Sequence, residues 1–179
     1  MYIKGRTVTF DNGLVIDFEE NFDSLKSKIK DVEKLYIDDE ALGIAFFSQE
    51  MVKGYREETR IFCDDEREEK VREIELIFDV HAYAGKDFES YFEFADYNKK
   101  FFNELREYLL EQFGQEKVAG NSDSGFGIKD GNLILGLNTG RGFEHVKINI
   151  VPEDDPLHRA AMLRMAERMQ QEQLDNREV

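Results

Sequence analysis

One cysteine, two prolines and no apolar run long enough to cross a bilayer occur in this sequence of 179 residues, and each scarcity removes a class of protein. With Cys63 alone, no intramolecular disulfide can form, and zinc sites built from three or four thiolates are excluded. Asp64, Asp65 and Glu66 follow it directly and disfavour a thiolate, so Cys63 reads as a small buried filler rather than a nucleophile. Both prolines, Pro152 and Pro156, lie late, which leaves no Pro-rich linker. No repeat of 20 to 50 residues divides the chain, and the expectation is one domain over 1–179 with residues 171–179 a frayed tail.

Outside the C-terminal helical pattern, the longest apolar run is Ile44-Ala45-Phe46-Phe47, far short of the roughly 20 residues a membrane span needs. The opening Met1-Tyr2-Ile3-Lys4-Gly5-Arg6 lacks the apolar stretch of a secretory signal. A cytoplasmic, non-membrane protein is expected.

Catalytic signatures are also missing. There is no phosphate-cradling G-x-x-x-x-G-K-[ST] or G-x-G-x-x-G, no G-x-S-x-G elbow and no H-E-x-x-H pair. No cofactor and no metal site is expected. Asn138-Thr139-Gly140-Arg141-Gly142 could hold an anion through backbone amides and Arg141, but a hairpin loop has the same composition.

What the chain does hold is apolar bulk and negative charge. Hydrophobic residues make up 41%, including 15 Phe and 7 Tyr, and a chain of this length buries about two thirds of its unfolded surface without a metal or disulfide staple. Asp and Glu number 39 against 24 Lys and Arg, for a net charge of -15. Residues 1–100 hold 25 acids and 15 bases and residues 101–179 hold 14 and 9, so the surplus is spread rather than confined to a tail. Such a field repels phosphate backbones and anionic lipid, which disfavours nucleic-acid and membrane partners and favours a basic protein.

Period-two residues on either side of Asp11-Asn12-Gly13 predict a hairpin over 6–18. Phe22, Leu25, Ile29, Val32 and Tyr36 predict a helix near 23–35, with Asn21, Asp23 or Ser24 as its cap. Leu42 to Phe46 and Thr59 to Cys63 are further strand candidates. The clearest extended segment is 71–83, in which Ile74, Leu76, Phe78, Val80 and Ala82 share one face. A helix near 96–113, capped near Asp96 and stopped by Gly114, precedes a glycine-punctuated three-strand meander over 124–151 and a last helix near 156–170. The fold class is α+β: a two-layer, mostly antiparallel sheet packed by helices. A three-layer form follows if the long helices take opposite faces.

Two constellations are candidates for function. On an extended 71–83 strand, Glu75, Asp79 and His81 project to one side, and His145, Lys147 and Asn149 do the same on the last strand. If those strands are neighbours, imidazoles, carboxylates and an ammonium meet in a site for acid-base or metal chemistry, and an enzyme of unknown substrate is the alternative function. The plainer reading is the wet face of an antiparallel sheet. The second constellation is acidic: Asp38, Asp39 and Glu40, and Asp64, Asp65, Glu66, Glu68 and Glu69. Neither run has calcium-loop spacing. With no enzyme motif present, the expectation is a non-catalytic, acidic protein-binding domain, in concrete form an immunity or antitoxin-type inhibitor of a basic partner. Met162, Met165 and Met169 line one side of the last helix, through which the chain could form a homo-oligomer or pack on itself.

Overall fold

Asp11-Asn12-Gly13 turns the chain as its composition predicts. Gly13 adopts φ +86°, its N–H donates to the Phe10 carbonyl at 3.0 Å, and the Asn12 side-chain oxygen accepts from the Leu14 amide at 3.0 Å. This closes β2 (Thr7–Thr9) onto β3 (Val15–Asp17), and β1 (Tyr2–Lys4) completes a three-stranded antiparallel sheet in the order β1-β2-β3. The computed structural model describes residues 1–29, 34–37, 42–49, 51–63, 70–122, 125–139 and 145–156.

Helix α1 (Phe22–Lys28) is capped by Asn21, whose side chain accepts from the Ser24 amide at 2.9 Å. It is shorter than the helix expected over 23–35. Ile29 turns to extended backbone after its N–H bonds to Leu25, and Lys34–Ile37 form strand β4 instead. The helical spacing of Tyr36 yields to an antiparallel hairpin ladder in which Leu35 pairs with Ile44 and Tyr36 with Gly43.

The main sheet continues with β5 (Leu42–Gln49), β6 (Arg56–Cys63) and β7 (Val71–Phe78). After helices α2 (Val80–Ala84) and α3 (Tyr91–Phe113) come β8 (Val118–Asn121), β9 (Gly125–Asp130), β10 (Leu133–Thr139) and β11 (Val146–Pro152). The strand order is β4-β5-β6-β7-β11-β10-β9-β8, and each described pair is antiparallel. Two four-strand meanders thus meet along β7 and β11. The chain is an α+β protein with a mostly antiparallel sheet, and the hairpin, the meander and Gly114 as helix stop stand where the sequence puts them.

Two further boundaries differ. The strand expected over 71–83 ends at Phe78, where the backbone coils into α2 and Gly85 closes that turn by donating to the His81 carbonyl at 3.0 Å. Helix α3 begins five residues before Asp96, because Ser90-Tyr91-Phe92-Glu93 supplies S-x-x-E and the Ser90 hydroxyl accepts from the Glu93 amide at 3.2 Å. The helix near 156–170 and the tail 171–179 lie, after Pro156, outside the described residues, as do Gly140, Arg141 and Gly142.

One face of the large sheet is covered. Ile44, Ile61, Ile74, Ile148 and Leu135 alternate onto it and are fully buried, with α1 against β5 and α3 against β9, β10 and β11. On α3 the buried residues Phe101, Phe102, Leu105, Tyr108, Leu109 and Phe113 recur at helical spacing and face that layer. The small sheet adds Val8, Phe10, Ile16 and Phe18 to the same core. The opposite face carries no described helix.

Candidate functional site

Strands β7 and β11 are neighbours, and their register sets Asn149 opposite Glu75 and Lys147 opposite Ile77. Glu75, Lys147 and Asn149 therefore project together from the open face. The Lys147 ammonium donates to Glu75 at 2.7 Å, and Arg60 on β6 stands 3.6 Å from the other Glu75 oxygen. Asn149 donates to Glu73 and accepts from the Asn138 side chain at 3.1 Å, and Arg60 also holds Glu58 at 2.7 Å. The network crosses β6, β7, β11 and β10. It encloses Glu75 to 9% exposure while giving its carboxylate cationic neighbours on both oxygens.

The histidines stand elsewhere. With β7 ending at Phe78, His81 is carried on α2, stacked on Phe94 with centroids 5.3 Å apart and edge-on to Phe88 at 5.0 Å. The alternation that was to align Glu75, Asp79 and His81 fails because the α2 turn replaces the strand repeat of two residues with the helical one. Asp79 follows β7 and its amide donates to the Arg56 carbonyl at 3.1 Å. His145 precedes β11 and is half-buried. Among the described residues, no group of three or more His, Cys, Asp or Glu side chains is placed to hold a metal.

Two shallow hollows lie near the β9–β10 turn. One of about 300 Å³ is lined by Glu116, Lys117, Val118, Ala119, Lys129 and Gly131. The other, about 200 Å³, is lined by Arg6, Asn132, Glu153 and Asp154. Neither reaches His81, His145, Glu75 or Asp79.

Asp38, Asp39, Glu40, Asp64, Asp65, Glu66, Glu68 and Glu69 lie outside the described residues, but the strands that flank them are described. Ile37 pairs with Leu42, Leu42 with Cys63, and Cys63 with Val71. The strand ends bounding both acidic runs thus stand in one row, on one end of the sheet. Three of the described cations there are engaged: Lys70 with Glu19 at 2.8 Å, Arg6 with Glu19 at 3.3 Å and with Asp154 at 3.0 Å, and Lys28 with Glu20. The β3–α1 corner joins this end through the Val71 amide, which donates to Glu20 at 3.1 Å.

Sequence reasoning missed a cluster beneath the small sheet. Asp11 accepts from the Met1 ammonium, from the Tyr108 hydroxyl at 2.7 Å and from the Lys53 amide at 2.8 Å. Partial burial would raise its carboxyl pKa, but these donors outweigh that and hold it below the ordinary aspartate range. Tyr108 is pushed well above the usual phenol range by burial and by the adjacent Asp11. Glu57, buried on the covered face opposite Phe78, was missed as well, since the strand was read only from Thr59, although Thr59, Ile61 and Cys63 continue the alternation that turns Glu57 inward.

No protein-family model, no curated protein and no solved structure matches the chain. No helix among the described residues is long and apolar enough to cross a membrane.

Proposed function

We propose that the protein is a non-catalytic acidic binding domain that docks a basic partner protein, as an immunity or antitoxin-type inhibitor does, in the reducing cytoplasm. The observation that carries this reading is the row Ile37, Leu42, Cys63 and Val71. Two runs that together hold eight carboxylates and one guanidinium, Arg67, are anchored on adjacent strand ends. Lys70 and Arg6 nearby are held by Glu19 and Asp154, and the eight carboxylates outnumber the cations that remain, so an incoming Lys- or Arg-rich surface is the complement this end calls for. Complementary fields of this kind speed encounter and select the partner.

The enzymatic alternative has less support. Glu75 is held by Lys147 and Arg60, and His81 is packed on Phe88 and Phe94.

The test is charge reversal at Asp64, Asp65, Glu66, Glu68 and Glu69. A partner captured from the native extract is titrated against the wild-type and reversed chains across ionic strength. The reversed chain should bind at least tenfold more weakly, and its affinity should respond less to salt. Equal affinity with an equal salt slope overturns the reading. Turnover abolished by His81→Ala and His145→Ala, with partner affinity unchanged, would favour the enzyme instead.

A further inference from the structure

Asn12-Gly13 is the only asparagine–glycine pair in the chain, and it stands in the β2–β3 turn. An asparagine loses its side-chain ammonia most readily in this pair, because glycine has no side chain to hinder attack by its own nitrogen. Asp11, Asn12 and Gly13 are all exposed, and a Cβ placed on Gly13 would meet nothing within 4 Å, so water reaches the pair and nothing crowds it. The reaction joins atoms that are already neighbours. The Gly13 nitrogen bonds to Cγ of Asn12, the Cγ–Nδ2 bond breaks, and Nδ2 leaves as ammonia with the proton that the Gly13 nitrogen gives up. Water then opens the cyclic imide, at Cγ to give aspartate or at the main-chain carbonyl carbon to give isoaspartate, in which the chain runs through Cβ.

The folded turn commits both reacting groups to other bonds. The Gly13 N–H donates to the Phe10 carbonyl at 3.0 Å, which holds the proton that attack requires the nitrogen to lose. The Asn12 side-chain oxygen accepts from the Leu14 amide at 3.0 Å, and the Phe10 amide donates to the Leu14 carbonyl at 2.9 Å, closing the loop behind the pair. The turn is also clamped from outside. The Asp11 amide donates to the Met51 carbonyl at 2.9 Å, and the Asp11 carboxylate accepts from the Lys53 amide, the Tyr108 hydroxyl and the Met1 ammonium. The turn therefore opens only against contacts from Met1, from the β5–β6 connection and from α3.

From these observations we infer that Asn12-Gly13 is a latent deamidation site that the Asp11 cluster keeps closed, so that its modification records opening of the hairpin turn. Isoaspartate at position 12 puts an extra backbone atom between Asp11 and Gly13. That atom breaks the spacing on which the Gly13–Phe10 bond depends and displaces Asp11 from its donors. Loss of ammonia makes the step one-way, and a transient opening becomes a lasting loss of the cluster.

The experiment incubates the full chain at mildly alkaline pH, folded in buffer and unfolded in urea. Residue 12 is followed by peptide mapping with mass spectrometry, and the added negative charge by ion exchange. The folded chain should react at least about tenfold more slowly than the unfolded one, because reaction then waits for the turn to open. Tyr108→Phe removes one clamp and should speed the folded chain roughly fivefold while leaving the rate in urea unchanged. Asp11→Ala removes the whole clamp and should speed it further. Asn12→Gln should abolish the charge shift of that peptide, since the longer side chain does not close the same five-membered ring. Equal rates in folded and unfolded wild type overturn the inference. So do folded Tyr108→Phe and Asp11→Ala chains that react no faster than wild type, and so does a charge shift that persists in Asn12→Gln.

Discussion

The hydroxyl of Tyr108 donates to the carboxylate of Asp11 at 2.7 Å across 97 residues of chain, joining the β2–β3 turn to the last third of the long helix. The Met1 ammonium donates to both groups, at 2.9 Å to the Tyr108 hydroxyl. Tyr108→Phe should cost about 1 kcal/mol in urea unfolding, and Asp11→Ala about 1–3 kcal/mol because it leaves several donors without their acceptor. A Tyr108→Phe chain as stable as wild type would show that the bond is dispensable.

The same pair sets a pH dependence with two limbs. Asp11 has a lowered folded pKa, so its contribution is full above the unfolded aspartate value of about 3.9 and is lost as pH falls through the folded value. Tyr108 has a raised folded pKa, so its contribution is full below the unfolded phenol value of about 10 and is lost as pH rises toward the folded value. Unfolding free energies measured from pH 3 to 11 should show Asp11→Asn flattening the acid limb and Tyr108→Phe flattening the alkaline one. Unchanged limbs in both variants would remove the cluster as their source.

Lys147 is the cation closest to Glu75, and the carboxylate is far less exposed than the ammonium. Lys147→Ala should destabilise by about 1–2 kcal/mol, a figure discounted from that of a fully buried pair for the wet Lys147 side. Replacing Glu75 and Lys147 together by valine should cost less than the sum of the single changes, since β-branched residues suit this face and no charge is stranded. A double-mutant cycle with no coupling would contradict the paired geometry.

Both ends of α3 are set by single residues. Ser90→Ala removes the acceptor for the Glu93 amide and should cost about 1 kcal/mol. Gly114 sits at φ +86°, where an L side chain is strained, so Gly114→Ala should cost about 1–2 kcal/mol in the same assay. Melts indistinguishable from wild type would show that α3 is held by packing alone.

Burial predicts a sharp contrast between two large apolar residues. Leu105 is fully buried on α3, and Leu105→Ala should lose about 2–5 kcal/mol. Phe47 on β5 is 63% exposed, and Phe47→Ala should stay within about 0.5 kcal/mol. A costly Phe47→Ala would reveal packing on the open face.

Much of the local structure was legible in the residues themselves. Asp11-Asn12-Gly13 and Asp130-Gly131-Asn132 each turn a hairpin, with Gly13 and Gly131 at positive φ. Asn21 caps α1, and Ile74, Leu76 and Phe78 point inward as their alternation predicts. Ser90-x-x-Glu93 was equally readable, although the start of α3 was placed at Asp96. Strand β4 was not readable, since Tyr36 also satisfies the helical spacing from Phe22 and only the ladder to β5 decides between the two. For the candidate site, residue types and faces were legible, but neighbours were not.

Turns, caps and alternating faces were determined by the sequence alone, because each depends on hydrogen bonds or sterics within a few residues. Tertiary structure decided that β7 lies against β11, that His81 leaves the sheet, that Asp11 meets Tyr108, and that the strands flanking both acidic runs end in one row. Strands with the same alternation present equivalent ladders to many partners. Which one is chosen depends on the summed burial of the whole core beneath them, a quantity that no short window of sequence contains.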